Sequence, residues 1–163
     1  MNRTTGSVEA SSFPLTGDFL AGRLRQNLSL DDLKYIEALV ETVSDHGDTA
    51  RLLARGTKTD RSTILIEGYI FRTIESGNRR FIVGVHVPGD FVDLHGFALK
   101  RLDHNIDAAG RVTVGSVSHE ALRRVMRDRP GVARAMWFAT LLNAANANPG
   151  IAKKLIKGAV VVD

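Results

Sequence analysis

Residues 62–90 read STILIEGYIFRTIESGNRRFIVGVHVPGD, and this stretch carries the strongest structural signal in the chain. Apolar and polar side chains alternate on both sides of residues 75–79, where glycine and asparagine suit a hairpin turn. Gly68 interrupts the first strand, and a glycine inside a long strand usually marks a bulge or a sharp bend. This pattern predicts antiparallel strands in a sheet that curls into a roll.

The strand after the turn is predicted to have one apolar face, formed by Phe81, Val83, Val85 and Val87. The turn Pro88-Gly89-Asp90 ends it, and we expect the Asp90 side chain to close that turn. A second hairpin is predicted around Gly110, between residues 105–108 and 112–117.

Helices are predicted on both sides of the strands. Ser29 can cap a helix whose apolar residues recur at helical spacing as far as Val43, before Gly47. Ser118 can cap a short helix that ends near Asp128, and Pro130 suits the first turn of a longer one. The predicted fold class is mainly β with flanking helices: a double-stranded β-helix, or jelly-roll-like β-roll.

Composition excludes several classes of protein. The chain has 163 residues, of which 44% are hydrophobic and 25% charged, which suits one globular domain. No apolar run reaches the roughly 18 to 20 residues of a membrane span, and the first sixteen residues lack the apolar core of a signal peptide. Without cysteine, a disulfide framework, a thiolate nucleophile and a Cys-ligated metal are excluded. We expect a cytoplasmic protein without membrane contact.

The order of these elements resembles the effector domain of Crp/Fnr-type transcription regulators. The similarity covers roughly residues 18–148 and rests on Gly68, on the turn at residues 76–78 and above all on VPGDF at residues 87–91. FVDLHGF at 91–97 and LKRLDH at 99–104 are most similar to an alphaproteobacterial subgroup. The resemblance implies a cyclic-nucleotide-binding-domain fold with a flexible arm at 1–16, the roll at 17–128, a dimerisation helix at 129–148 and a short divergent tail at 149–163.

The resemblance also implies where a ligand would bind. In the family, a phosphate-binding cassette follows the Gly-Asp turn, a glutamate binds the ribose, and an arginine beside Ser or Thr neutralises the phosphate. Here Leu94, or Asp93 with a one-residue shift, takes the glutamate position, and His104-Asn105 takes the Arg-Ser position. The candidate ligand-binding residues are Gly89, Asp90, Asp93, Leu94, His95, Gly96, His104 and Asn105.

These changes argue against cyclic AMP binding by the usual chemistry. A neutral imidazole does not replace a guanidinium that binds phosphate through two hydrogen bonds. The pocket then takes another small effector, or it is a structural remnant. No cofactor is predicted with certainty.

The predicted dimerisation helix carries Val132, Met136, Ala139 and Asn143 at near-heptad spacing, which suits a two-fold partner. We therefore expect a homodimer. Family members continue this helix into a winged helix-turn-helix that reads DNA, but residues after 148 do not resemble it. DNA binding is expected only through a domain that this chain lacks, whether by natural truncation, frameshift or expression of a fragment.

Two alternatives stay open at this point. A cupin-like metal-dependent enzyme would use the histidines and carboxylates of residues 86–119. Cupin sites need a His-x-His pair with a following glutamate, which is absent, so surface or loop histidines are expected instead, with no metal site and no enzymatic activity. The other alternative is a protein-interaction module with a vestigial pocket.

Overall fold

The computed structural model describes residues 11–146, with side chains as far as residue 144. Residues 1–10 of the predicted arm, the end of the predicted dimerisation helix at 147–148 and the whole predicted tail at 149–163 lie outside the described residues. No helix in the described range is long and apolar enough to cross a membrane.

Within residues 13–146, seven strands and four helices follow a 3-10 turn at Arg25–Asn27. The helices are α1 (Leu30–Ala38), α2 (His95–Leu99), α3 (His119–Asp128) and α4 (Pro130–Asn146). The strands are β1 (Thr42–His46), β2 (Arg51–Leu53), β3 (Arg61–Glu67), β4 (Ile70–Ser76), β5 (Arg79–His86), β6 (Asn105–Ala108) and β7 (Val112–Ser118).

The strands form two antiparallel sheets, in the orders β1-β7-β3 and β2-β6-β4-β5. They share an apolar core, formed by Leu65, Ile70, Val92, Leu102, Ile106, Ala108, Val112 and Val114. The predicted fold class, mainly β with flanking helices, is confirmed, and residues 11–146 form no closed barrel.

The chain changes sheets at Gly68, where β3 of the first sheet ends and β4 of the second begins. Gly68 has φ of +87°, and a Cβ there would lie 2.4 Å from the carbonyl oxygen of Arg111. Close by, the Ala109 amide donates to the Tyr69 carbonyl at 2.9 Å. The connection from β6 to β7 thus changes sheets at the same corner, and the hairpin predicted at Gly110 is wrong.

The apolar face predicted for β5 is also wrong beyond its middle. Thr73 pairs with Ile82 but Arg72 pairs with Gly84, so Val83 is an extra residue in the ladder. One extra residue reverses the alternation of side chains. Val85 and Val87 are therefore 55% and 47% exposed, whereas His86 is 3% exposed and faces the protein interior.

The helix boundaries agree with the sequence at four of the five predicted ends, including the end of α3 at Asp128. The Ser29 and Ser118 hydroxyls accept hydrogen bonds from amides three residues later, and α4 begins at Pro130. However, α1 ends at Ala38 rather than near Gly47. Residues 42–46 instead form β1, because this stretch pairs along its whole length with β7.

The stripe that predicted a dimer contact packs inside the chain. Val132, Met136 and Ala139 are 0%, 0% and 8% exposed and contact the core beneath α1 and α3. The side-chain amide of Asn143 donates a hydrogen bond to the Phe91 carbonyl at 3.1 Å. These four residues make intramolecular contacts, so their assignment to a dimer interface is corrected. The exposed large hydrophobic residues in the described part of α4 are Trp137 and Leu141.

Candidate functional site

The segment that resembles a phosphate-binding cassette begins beside β3. The Gly89 amide donates to the Leu65 carbonyl at 2.8 Å, and the Leu65 amide donates to the Asp90 carbonyl at 2.9 Å. Gly89 has φ of +92°, and a Cβ there would lie 2.2 Å from the carbonyl oxygen of Asp18. Only glycine fits such a position. The backbone therefore fixes the start of this segment against both the roll and the N-terminal residues.

Two aspartates hold the segment in place. Asp90 Oδ2 accepts from the Val87 amide at 3.2 Å and lies 3.3 Å from His86 Nδ1, so the predicted turn-closing role is confirmed. Asp93 is fully buried and accepts from the Thr63 amide at 2.6 Å. Burial raises the pKa of Asp93 to about 7, although the hydrogen bonds from Thr63 oppose the increase. Both carboxylates have positioning roles.

Three other candidate residues differ from the family's polar contacts: Leu94 and Gly96 have no polar side chain, and the Asn105 side-chain oxygen is already bonded. Leu94, at the glutamate position, is 7% exposed and adds an apolar wall to the cavity described below. Gly96 is buried, with Leu102 3.7 Å from where its Cβ would lie. Asn105, at the serine position, accepts from the Arg55 amide at 2.7 Å. The usual ribose and hydroxyl contacts are therefore missing.

A small cavity of about 70 Å³ lies between the roll and α4. Three of its lining side chains, from Arg72, His86 and His95, carry nitrogen atoms suited to ligand binding. The other lining residues are Phe91, Val92, Leu94, Thr140, Asn143 and Ala144. Three of the nine come from α4, so any occupant contacts the helix as well as the roll.

Arg72 of β4 is the functional candidate that sequence reasoning missed. Its Nη2 lies 3.4 Å from His104 Nδ1, and its Nη1 lies 3.4 Å from the Asn143 carbonyl oxygen. The Nε atom is buried and has no hydrogen-bond partner within the described part of the chain. Burial lowers the pKa of Arg72. The available signal was a lone arginine between Ile70 and Ile74, on the face that the alternation predicted to be apolar.

Gly84 makes room for this arginine. It is the cross-strand partner of Arg72, and a Cβ there would lie 3.1 Å from Arg72 Cδ. The bulge at Val83 places Gly84 opposite Arg72, so an irregularity in the ladder determines both the space for the guanidinium and the inward direction of His86.

The histidines near the cavity are mostly buried, contrary to the expectation of surface or loop positions. His104 is 2% exposed, and its Nδ1 lies 2.5 Å from Asp103 Oδ1. The rings of His95 and His104 are 5.1 Å apart at an angle of 33°. Burial lowers the pKa of both, to about 4 for His104, so both imidazoles are neutral at pH 7. The Nε2 atoms of His86, His95 and His104 are buried and find no hydrogen-bond partner among the residues described.

His119 has a different environment. It is 4% exposed, whereas the sequence predicted a solvent-facing residue, and its Nε2 lies 3.2 Å from Ser62 Oγ. Its ring contacts Phe97 edge to face at 5.2 Å. The hydroxyl satisfies the imidazole, so His119 has a structural role outside the cavity.

A larger groove of about 410 Å³ lies between residues 18–23, the turn at 85–90 and α4. Its volume is in the range of small-molecule sites, about 300–1,000 Å³. Its charged residues are Asp18, Arg23 and Asp90, none of which is buried. Buried polar groups converge at the smaller cavity, which is therefore the stronger candidate site.

Comparison with known proteins yields structural matches only. No protein-family model and no curated protein matches the sequence. A cyclic-nucleotide-binding domain from Methylobacillus flagellatus matches with a TM-score of 0.70 and 11% identity, over 96% of this chain and 86% of that one. The chain has the cyclic-nucleotide-binding-domain fold. Crp/Fnr-type regulators are among its structural neighbours, so the predicted fold resemblance is confirmed.

Two further solved structures with the same fold come from regulatory proteins. The cyclic di-GMP-responsive global regulator CLP of Xanthomonas campestris matches with a TM-score of 0.65 and 13% identity, over 77% of this chain and 64% of CLP. The regulatory domain of Toxoplasma gondii PKA, crystallised with cyclic AMP, matches with a TM-score of 0.58 and 17% identity, over 74% of this chain and 46% of that one. This chain thus spans less than two thirds of either relative, and identities this low establish the fold alone.

Proposed function

We propose that this cyclic-nucleotide-binding-like domain is a cytoplasmic, non-enzymatic sensor that binds a small anionic effector between the roll and α4. The observation that carries the proposal is the half-buried Arg72 guanidinium, whose Nε is buried without a hydrogen-bond partner in the described part of the chain and whose two other contacts are both 3.4 Å long. A buried cation is costly unless an anion or a hydrogen-bond network compensates it. An anionic ligand that contacts Arg72 Nε would supply that compensation.

The position of Arg72 supports a shifted version of the family's chemistry. His104 occupies the arginine position that the resemblance assigns to phosphate binding, and Arg72 Nη2 is 3.4 Å from that histidine. A guanidinium thus lies beside the position from which the cassette lacks one. The cavity of about 70 Å³ suits a small anionic group. A whole cyclic nucleotide would require α4 to move outward.

Asn143 is the proposed link between ligand and helix. Its side-chain amide bonds to the Phe91 carbonyl, its own carbonyl lies 3.4 Å from Arg72 Nη1, and both residues line the cavity. An effector that bonds to Arg72 competes with this contact and moves α4 relative to the roll. A ligand changes a conformational equilibrium only through such a difference in contacts.

Isothermal titration of the full chain tests the proposal, with cyclic AMP, cyclic GMP, cyclic di-GMP and inorganic phosphate as probes. We expect at least one of these anions to bind, and Arg72→Gln to weaken its affinity by about tenfold or more. Arg111→Gln, an exposed arginine, is the matched control and should leave affinity unchanged. If none of the four binds, or if Arg72→Gln binds as tightly as the unchanged chain, the proposed anion site is wrong.

We also propose that the domain forms a homodimer through the outer face of α4. Trp137 and Leu141 are 69% and 62% exposed and lie one turn apart on this helix. They border an apolar groove of about 450 Å³, whose other lining residues are Met126, Pro130, Ala133, Arg134 and Phe138. An exposed apolar patch of this kind usually marks an interface.

Sedimentation equilibrium tests the dimer directly. The unchanged chain should have twice the chain mass of 17.8 kDa, and Trp137→Glu should have the mass of a monomer. Leu30→Glu, at an apolar residue that is 61% exposed on α1, should stay dimeric. A monomeric unchanged chain, or a dimer that survives Trp137→Glu, would contradict this interface.

A further inference from the structure

Within residues 11–146, His95, Asp103 and His104 form the one cluster of side chains that could hold a metal ion. One ligand atom from each of the three lies within 4.8 Å of the others. Asp103 Oδ1 is 2.5 Å from His104 Nδ1 and 3.9 Å from His95 Nε2. Ligands that share a tetrahedral metal at about 2.0–2.1 Å lie about 3.3 Å apart, so a small adjustment completes the geometry.

We propose that His95, His104 and Asp103 form a binding site for a divalent late first-row metal ion such as Zn²⁺ or Co²⁺. Zn²⁺ and Co²⁺ bind to imidazole nitrogen together with carboxylate oxygen, whereas Mg²⁺ and Ca²⁺ prefer oxygen ligands alone. This metal site lies beside the small cavity, which His95 also lines, and metal binding there does not depend on the effector role proposed above.

The burial of the two imidazoles is the second observation. The His95 Nε2 atom, which belongs to the cluster, is buried and has no hydrogen-bond partner in the described part of the chain. The His104 side chain is 2% exposed, and its Nδ1 lies beside Asp103 Oδ1. Polar atoms in such positions normally have partners. A metal ion supplies the missing partner, since a neutral imidazole coordinates through a free nitrogen lone pair.

Asp103 is suited to ligate the metal because one oxygen, Oδ1, lies near a ring nitrogen of both histidines. Asp103 is 75% exposed, so its other oxygen is accessible from solvent and gives an ion a path to the site. Three protein ligands would leave an open coordination position.

The positive charge of Arg72 should have opposite effects on the binding of a metal ion and of an anion. Its guanidinium, 3.4 Å from His104 Nδ1, repels a cation at this site and attracts an anion. Arg72→Gln should therefore tighten metal binding several-fold, whereas the same change weakens the anion binding proposed above. The two proposals fail independently, because either ligand can be titrated without the other.

The experiment is titration of the chelator-treated full chain with Co²⁺, followed by visible absorption and calorimetry. We expect one equivalent to bind with the intense d–d bands of a four- or five-coordinate ion. Asp103→Asn, at an exposed residue, should weaken binding by about 10- to 100-fold. His104→Gln should abolish it, and His46→Gln, a histidine on β1 far from the cluster in the topology, should not change it.

Circular dichroism separates loss of the site from loss of the fold, since Asp103→Asn is not expected to unfold the protein. Absence of Co²⁺ and Zn²⁺ binding by the unchanged chain would overturn the proposal. Binding that persists unchanged in Asp103→Asn and His104→Gln, or that His46→Gln removes, would overturn it equally.

Discussion

Changing Asp93 to Asn should alter how the stability of the fold depends on pH. Burial raises the pKa of Asp93 from 3.8 to about 7 in the folded chain. Between these two values the folded state binds a proton that the unfolded state has released, so stability decreases as pH rises. The full difference corresponds to about 4 kcal/mol at 1.36 kcal/mol per pKa unit. Asparagine cannot ionise, yet its oxygen can still accept from the Thr63 amide.

Urea unfolding at pH 5, 6, 7 and 8 measures this effect. The free energy of unfolding of Asp93→Asn, relative to the unchanged chain, should increase by about 2 to 3 kcal/mol from pH 5 to pH 8. The buried histidines titrate in both proteins, so their contribution cancels in the difference. Val43→Thr, at an exposed residue that cannot ionise, should give a constant difference. Parallel pH profiles for Asp93→Asn and the unchanged chain would refute the reasoning.

Three further changes test the fold and the site by chemical unfolding. Gly68→Ala should lower the free energy of unfolding by at least about 2 kcal/mol more than Gly110→Ala. Both residues have positive φ, but only at Gly68 would a new Cβ lie 2.4 Å from a backbone atom. Equal losses for the two variants would contradict the close contact at Gly68. Asp107→Asn should lower the free energy of unfolding by about 3 kcal/mol at pH 7, because it breaks the partly buried pair with Arg51. Burial acts to raise the pKa of Asp107, but its hydrogen bonds lower that pKa overall. The loss of stability should therefore shrink as pH falls below 4. His104→Leu should stabilise the chelator-treated protein by about 1 kcal/mol, because it removes an unpartnered buried nitrogen; marked destabilisation would show that the imidazole is needed for packing.

The sequence predicted the fold class because its strongest signals are local. Alternation along residues 62–90, a glycine within a strand and serine caps each reflect the backbone of a few neighbouring residues, and the structure confirms the bend at Gly68 and the helix starts. The wrong predictions arise where pairing with residues distant in sequence determines the local structure. The hairpin at Gly110 looks local, but β6 and β7 pair with strands of different sheets.

The candidate site was only partly predictable for the same reason. The alternation placed His86 outward, and one extra residue at Val83 reversed it. Arg72 is far from the cassette in sequence and reaches His104 only because β4 pairs with β6. The stripe on α4 has the spacing of a partner-binding helix, but spacing alone does not distinguish a partner from the chain's own core.

The polar atoms around the cavity bear on whether the pocket is vestigial. Arg72 Nε and the Nε2 atoms of three histidines are buried without partners in the described part of the chain. Each such atom costs about 1–3 kcal/mol when neither water nor a ligand bonds to it, and a domain has about 5–15 kcal/mol of stability in all. A structural remnant gains nothing from this cost, which apolar residues would relieve, so the arrangement favours a pocket that binds a ligand. Because Asn143 joins the same cavity to α4, an occupant that stabilises these atoms also changes the contacts of that helix with the roll.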